Sequence, residues 1–174
     1  MAMDVLKEAV DAAKKNNILT LVVASTSGNT ASKLFDMTRG EKLKLIVVTH
    51  DEGRPETDRR FNEDIRRRLL AGNVTVYTHN PRLLFFQKVL RKIMGKFGLS
   101  AWHNHLNEVK EKYGTGIKVC HIILQMLMEG KALRDERVVA VAGKKSGADS
   151  AGIFVIKPKS KWPILEKVIT INEA

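Results

Sequence analysis

Cysteine is nearly absent: Cys120 stands alone in 174 residues. That excludes intramolecular disulfides and thiolate zinc sites, and it fits a reducing compartment. No apolar run approaches the roughly 20 residues a membrane helix needs. The opening residues lack a basic segment leading into an apolar one, so no leader or span is expected and a cytoplasmic location is. No repeat, low-complexity tract or linker interrupts the chain, which reads as one domain over 1–174. A (β/α)8 barrel, which takes about 250 residues, does not fit in this length. Neither a Walker A loop nor a G-x-G-x-x-G fingerprint occurs, and "GTGIKV" at 114–119 lacks the third glycine and follows no strand. A nucleophile elbow with a Ser-His-Asp set is also missing.

What the chain has in excess is positive charge, +11 in all, which attracts phosphates, nucleic acids or anionic surfaces. Much of it is locally matched. In "RPETDRRFNEDIRRRLL", Arg59 and Arg60 precede Glu63 and Asp64 by four residues, and those acids precede Arg66, Arg67 and Arg68 by two to five. On a helix most of these are ion-pair spacings, and a solvated, self-paired face competes with a nucleic-acid surface as their meaning. "RLLFFQKVLRKIMGKFG" carries Arg82, Lys88, Arg91, Lys92 and Lys96 with no acid. Its apolar residues at helical spacing, Leu83 to Ile93, would face a core or a second copy, which makes a homodimer conceivable. Neither segment is a nucleic-acid-binding motif.

Apolar patterning predicts a helix over 3–15, a strand over 18–24, a short helix from Ala31 to Thr38 closed by Gly40, and a strand over 43–49. A charged helix over 58–71 ending at Gly72 and a strand over 74–78 follow. Helices punctuated by Gly95, Gly98, Gly114 and Gly116 fill 80–116, and an apolar helix runs over 117–130. Strands in "RVVAVAG", "GIFVIKP" and "KVITI" complete the chain. Strands alternating with helices imply an α/β sandwich with a mainly parallel sheet. The last strands leave no room for a crossover, so a hairpin is expected at that edge.

In such sheets ligands sit beyond the carboxyl ends of strands, where strand order reverses. "ASTSGNT" follows the first strand and opens a helix. Gly28 permits close backbone approach, while Ser25, Thr26, Ser27, Asn29 and Thr30 supply short polar donors, which is what phosphate oxygens need. The competing use of the same residues is an ordinary N-cap by Asn29 or Thr30. A second loop, "AVAGKKSGAD", leaves the fourth strand. If that strand neighbours the first, Lys144 or Lys145 meets an anion held there. The alternative is a solvated turn at Ser146 and Gly147.

"LVVASTSGNTA", "VVTH", "YGTGIKVC" and "RVVAVAGKKSGADSAGIFVIKP" together resemble a family of small, mostly archaeal proteins similar to the C-terminal α/β domain of pyruvate kinase. The resemblance covers most of the chain and is weakest over about 52–113. It implies a three-layer α/β/α sandwich with a mainly parallel sheet of order 3-2-1-4-5 and a reversed edge strand. In pyruvate kinase the matching turn helps hold the phosphates of an allosteric sugar bisphosphate. In the stand-alone family it looks like the phosphate end of an FMN site. Carried over, Ser25, Thr26, Ser27, Gly28, Asn29 and Thr30 would line the phosphate. His50, Lys118, Val119, Cys120, Gly143, Lys144, Gly147, Ala148 and Asp149 would border the rest of the ligand. The chain departs from its relatives at Ile122, where an acid is usual, and at Arg54, where Phe usually follows the glycine.

The expected function is therefore binding of FMN or a similar phosphate-bearing metabolite. A non-enzymatic module for a phosphorylated sugar or nucleotide is the alternative, and a basic nucleic-acid-binding protein the third. Pyruvate kinase activity is not expected without its barrel. Cys120 reads as a thiolate near a helix start or as inert packing, and His50 and His79 as bases or as loop caps. His103 and His105, two apart, point to different sides of a helix and make a poor metal pair. Trp102 and Trp162 could pack on a ligand ring or in a core or interface.

Overall fold

The computed structural model describes residues 2–49, 60–78, 97–143 and 147–171. In chain order these form α1 (Ala2–Lys15), β1 (Thr20–Ala24), α2 (Asn29–Thr38), β2 (Lys44–Thr49), α3 (Glu63–Ala71), β3 (Thr75–Thr78), α4 (Phe97–Glu129), β4 (Glu136–Ala142), β5 (Ser150–Ile156) and β6 (Ile164–Ile171). One six-stranded sheet has the order β3-β2-β1-β4-β5-β6. Strands β1 to β4 are mutually parallel, and β5 pairs antiparallel with both β4 and β6. The expected order 3-2-1-4-5 thus continues by one strand. The reversed strand is β5, which lies inside the sheet because β6 covers its outer edge.

The strands alternate their side chains between two cores, and this accounts for their unbroken apolar runs. Leu21, Val23, Leu45, Val47, Val139 and Val141 face α1, α2 and α3. Val22, Ile46, Val48, Val138, Ala140 and Phe154 face α4. The result is the expected three-layer sandwich.

Several boundaries moved for identifiable reasons. α2 starts at Asn29, and the chain leaves it through Arg39 in an extended conformation. α3 starts only at Glu63, because the Asn62 side chain accepts the Asp64 and Ile65 N–H groups at 2.9 and 3.0 Å and caps the helix there. Of the glycines expected to punctuate the next region, Gly114 alone breaks helical geometry among the described residues, with φ 80°, and it divides α4 into two arms. Gly98 and Gly116 are carried within the helical arms. Among the described residues no helix is long and apolar enough to cross a membrane.

The second arm of α4 buries His121, whose Nδ1 lies 3.1 Å from the Ile117 carbonyl. Its ring meets Phe154 edge-on at 5.0 Å and His105 at 5.2 Å, and His105 stacks on Trp102 and Trp162. The two tryptophans thus pack against a histidine of the helical layer. Burial pushes the His121 imidazole down to about 4, with the Ile117 carbonyl acting to raise it and His105 to lower it. Its folded value lies below its unfolded one, so the unfolded state binds more protons between those values. Stability from this group is complete above about pH 6.5 and is lost as pH falls toward 4, at up to about 1.4 kcal/mol per pH unit. Denaturant titrations at pH 7.5, 6 and 5 are expected to show this loss in the wild type and a flatter profile in His121→Phe. Equal slopes would contradict the assignment.

Candidate functional site

Strand order reverses between β1 and β4, which are neighbours in register from Thr20↔Val138 to Val23↔Val141. The chain therefore leaves both strands at one place, and the β1–α2 turn and the β4–β5 loop share the carboxyl edge of the sheet.

The β1–α2 turn is tied down by its own small residues. Ser25 donates its backbone N–H to the Val48 carbonyl at 3.0 Å, and its buried hydroxyl accepts the Ala31 N–H at 3.4 Å. Ser27 accepts the Asn62 N–H at 3.1 Å, which joins the turn to the start of α3. Gly28 occupies the N-cap position with φ 96°, a left-handed conformation that disfavours side chains. A Cβ there would also press on Ile65 at 3.0 Å and Phe61 at 3.2 Å.

Neither Asn29 nor Thr30 is the cap. The cap is Gly28, and no side chain bonds to the helix end from that position. The first N–H groups of a helix have no intrahelical acceptor and carry its positive end. Ser25 meets that of Ala31, while Asn29 and Thr30 follow the cap directly in a first turn without acids. Thr26, Ser27 and Thr30 are half-buried and Asn29 is exposed.

Opposite, the described ends of the β4–β5 connection, Gly143 and Gly147–Asp149, lie close together. Asp149 donates its N–H to the Ala142 carbonyl at 3.1 Å, and a Cβ on Gly143 would lie 1.8 Å from the Gly147 carbonyl oxygen. Ala148 is buried, and Gly147 and Asp149 are half-buried. The Asp149 carboxylate accepts the Ser150 hydroxyl at 2.7 Å, and both groups press on Gly116 at the start of the second arm of α4. Gly143, Gly147, Ala148 and Asp149 are thus brought to the same edge as Ser25–Thr30. His50, His79, Lys144, Lys145, Ser146 and the basic segment 82–96 lie outside the described residues.

The second arm of α4 carries Lys118 and Val119, both half-buried, and the fully buried Cys120. Burial drives the Cys120 thiol well above its usual range, and the charge of Asp149 adds to the effect. A protonated, enclosed thiol is packing, so the thiolate option for Cys120 fails on burial. His103 is exposed while His105 stacks on both indoles, and among the described residues no cluster of three metal-ligating side chains forms.

α3 and the residue before its cap contribute groups that the sequence does not single out. Phe61 and Ile65 back Gly28. Arg66 spans from helix to sheet, donating from Nη1 to the Thr78 hydroxyl at 3.3 Å with its guanidinium 5.1 Å from the Phe61 ring centre. This places a half-buried cation at the carboxyl end of β3. In the sequence Arg66 is one of three successive arginines, and only the spacing of Phe61 and Ile65 hints at which faces inward. The expected helix pairs form between Arg66 and Glu63 at 3.4 Å and between Arg67 and Asp64 at 2.9 Å. Arg68 instead crosses to Asp36 and Ser32 of α2.

A family model described as the alpha/beta domain of pyruvate kinase matches residues 3–156, a span running from α1 to the end of β5. It covers every strand and turn of the carboxyl edge described above, and so the chain belongs to the pyruvate kinase alpha/beta domain family.

Proposed function

We propose that the edge formed by the β1–α2 turn and the β4–β5 loop binds the phosphate of FMN or of a similar phosphate-bearing metabolite. One observation carries this reading: the α2 N-terminus is capped by a glycine, the Ser25 hydroxyl meets the Ala31 N–H alone, and Thr26 and Ser27 flank the Asn29 and Thr30 amides. Such an end offers backbone donors and partial positive charge without bulk. The residues present fit the phosphate end of FMN. The Asn29 and Thr30 amides and nearby hydroxyls would hold the phosphate, and Lys118, Val119 and the Gly147–Asp149 strip would border the remainder. Bound FMN would supply electron- and hydride-transfer chemistry, which is the cofactor's own. Ser25 keeps the turn in register with β2, and Gly28 keeps the helix end open.

The non-enzymatic alternative has its own support. Cys120 is enclosed and protonated, and His121 is held neutral in the core, so neither provides a nucleophile or base at this edge. A regulatory module for a phosphorylated sugar or nucleotide needs nothing more than the phosphate site.

The visible spectrum of freshly purified protein, followed by a fluorescence titration with FMN, tests the flavin reading. Saturable quenching is expected. At 100 times the dissociation constant the ligand adds about 2.7 kcal/mol, a rise of roughly 5–10 °C in unfolding temperature for a domain of this size. Colourless protein that leaves FMN fluorescence unchanged, yet is stabilised by a sugar bisphosphate, would favour the regulatory module. Retention on nucleic acid that falls steeply with salt would favour the third alternative.

A further inference from the structure

A cavity lies at the opposite edge of the sheet. A space of about 510 Å³ opens between the C-terminal ends of α2 and α3 and the first residues of β2. This size lies within the usual range of small-molecule sites, about 300–1,000 Å³. Its apolar lining comes from Phe35, Leu43, Leu45 and Val74, and its cations are Arg39, Lys44 and Arg68.

The charges around the space are unevenly matched. Arg68 pairs with Asp36, and Glu41 accepts from Lys14 at 2.5 Å, so both acids are engaged. Among the described residues neither Arg39 nor Lys44 forms an ion pair, and both are exposed at the rim. The two helix ends would ordinarily add negative character through unbonded carbonyls. Here most of those carbonyls are taken. The Thr38 hydroxyl donates to Leu34 and Phe35 at 2.9 and 3.2 Å, and the Glu41 N–H donates to Thr38 at 3.0 Å. Gly72, Asn73 and Val74 donate to Arg68, Leu69 and Leu70 within 3.0–3.1 Å. What faces the space is mixed polar and apolar surface that includes the Phe35 ring, rimmed by two cations that form no ion pair among the described residues.

Such a lining suits an anion with an apolar body. No helix N-terminus converges here, so the donors suit the single charge of a carboxylate better than the clustered oxygens of a phosphate. We propose that this cavity binds a small aromatic carboxylate, its ring against Phe35 and its carboxylate toward Arg39 and Lys44. The site is separate from the phosphate edge and stands or falls independently of it.

Indole-3-acetate is the probe, with neutral indole-3-acetamide and inorganic phosphate beside it, each titrated into ¹⁵N-labelled protein. The acid is expected to shift the amides of 38–45 and 72–74 saturably, with millimolar or tighter affinity for a ligand of this size. The acetamide should bind up to about fivefold more weakly, the scale of an exposed charge pair. The double variant Arg39→Gln, Lys44→Gln should lose about the same factor for the acid and keep the wild-type affinity for the acetamide. Inorganic phosphate should leave these amides unmoved. Equal binding of acid and amide, an unaffected double variant, shifts confined to residues 25–30, or no saturation up to about 10 mM acid would each overturn the proposal.

Discussion

Gly143→Ala is expected to destabilise the protein by about 2–4 kcal/mol, a drop of roughly 5–15 °C in unfolding temperature. The reason is close approach. The new methyl carbon would fall 1.8 Å from the Gly147 carbonyl oxygen and 2.8 Å from the Asp149 nitrogen. Both are backbone atoms, so no rotamer change relieves the overlap. The loop must lift, which breaks the 3.1 Å bond from Asp149 to Ala142 and draws Asp149 and Ser150 away from Gly116. Gly40→Ala is the matched control. Nothing lies within 4 Å of a Cβ at Gly40, so only its φ of 83° opposes the substitution, at about 1 kcal/mol. Thermal unfolding of the two variants compares them directly. If Gly143→Ala costs no more than Gly40→Ala, Gly147–Asp149 do not pack against the end of β4 as described.

Asn29→Asp is expected to move stability and ligand binding in opposite directions. Asn29 is exposed, in the first turn of α2, and no acid stands there in the wild type. A carboxylate at this position meets the positive helix end and should stabilise by about 0.3–1 kcal/mol. The same charge beside a bound phosphate repels it. At about 4 Å a pair of unit charges interacts by about 1 kcal/mol in water and about 4 kcal/mol near a protein surface. A loss of affinity for FMN of at least about tenfold follows, equivalent to about 1.4 kcal/mol. A variant that melts higher and binds worse cannot be explained by damage to the fold. Equal or tighter FMN binding by Asn29→Asp would place the phosphate elsewhere.

The strands were legible because burial on both faces writes itself as continuous apolar runs such as "LVVA" and "RVVAVA". The turn after β1 was legible as polar, small and glycine-bearing, while the strand order that places it at the reversal was implied by the family resemblance alone. Which residue caps α2 was not, since Gly28, Asn29 and Thr30 are all common at such ends and only the φ of 96° decides among them. Arg68 shows the limit in another form. Its spacing from Asp64 fits an intrahelical pair, but the packing of α3 beside α2 offers Asp36 instead, a neighbour 32 residues away in the chain. β6 was readable as a strand, while its position outside β5, which makes the reversed strand internal, depends on pairing that apolar pattern does not encode. His121 carries no sequence signal of its own, because its burial comes from Phe154 and from a His105 held by two tryptophans on separate segments.

The amide resonances of Asn29 and Thr30, followed while FMN is added to ¹⁵N-labelled wild-type protein, report most directly on the open end of α2. The account predicts that these two signals shift furthest and saturate together with the quenching of the flavin. Saturable quenching that leaves both amides in place would contradict it.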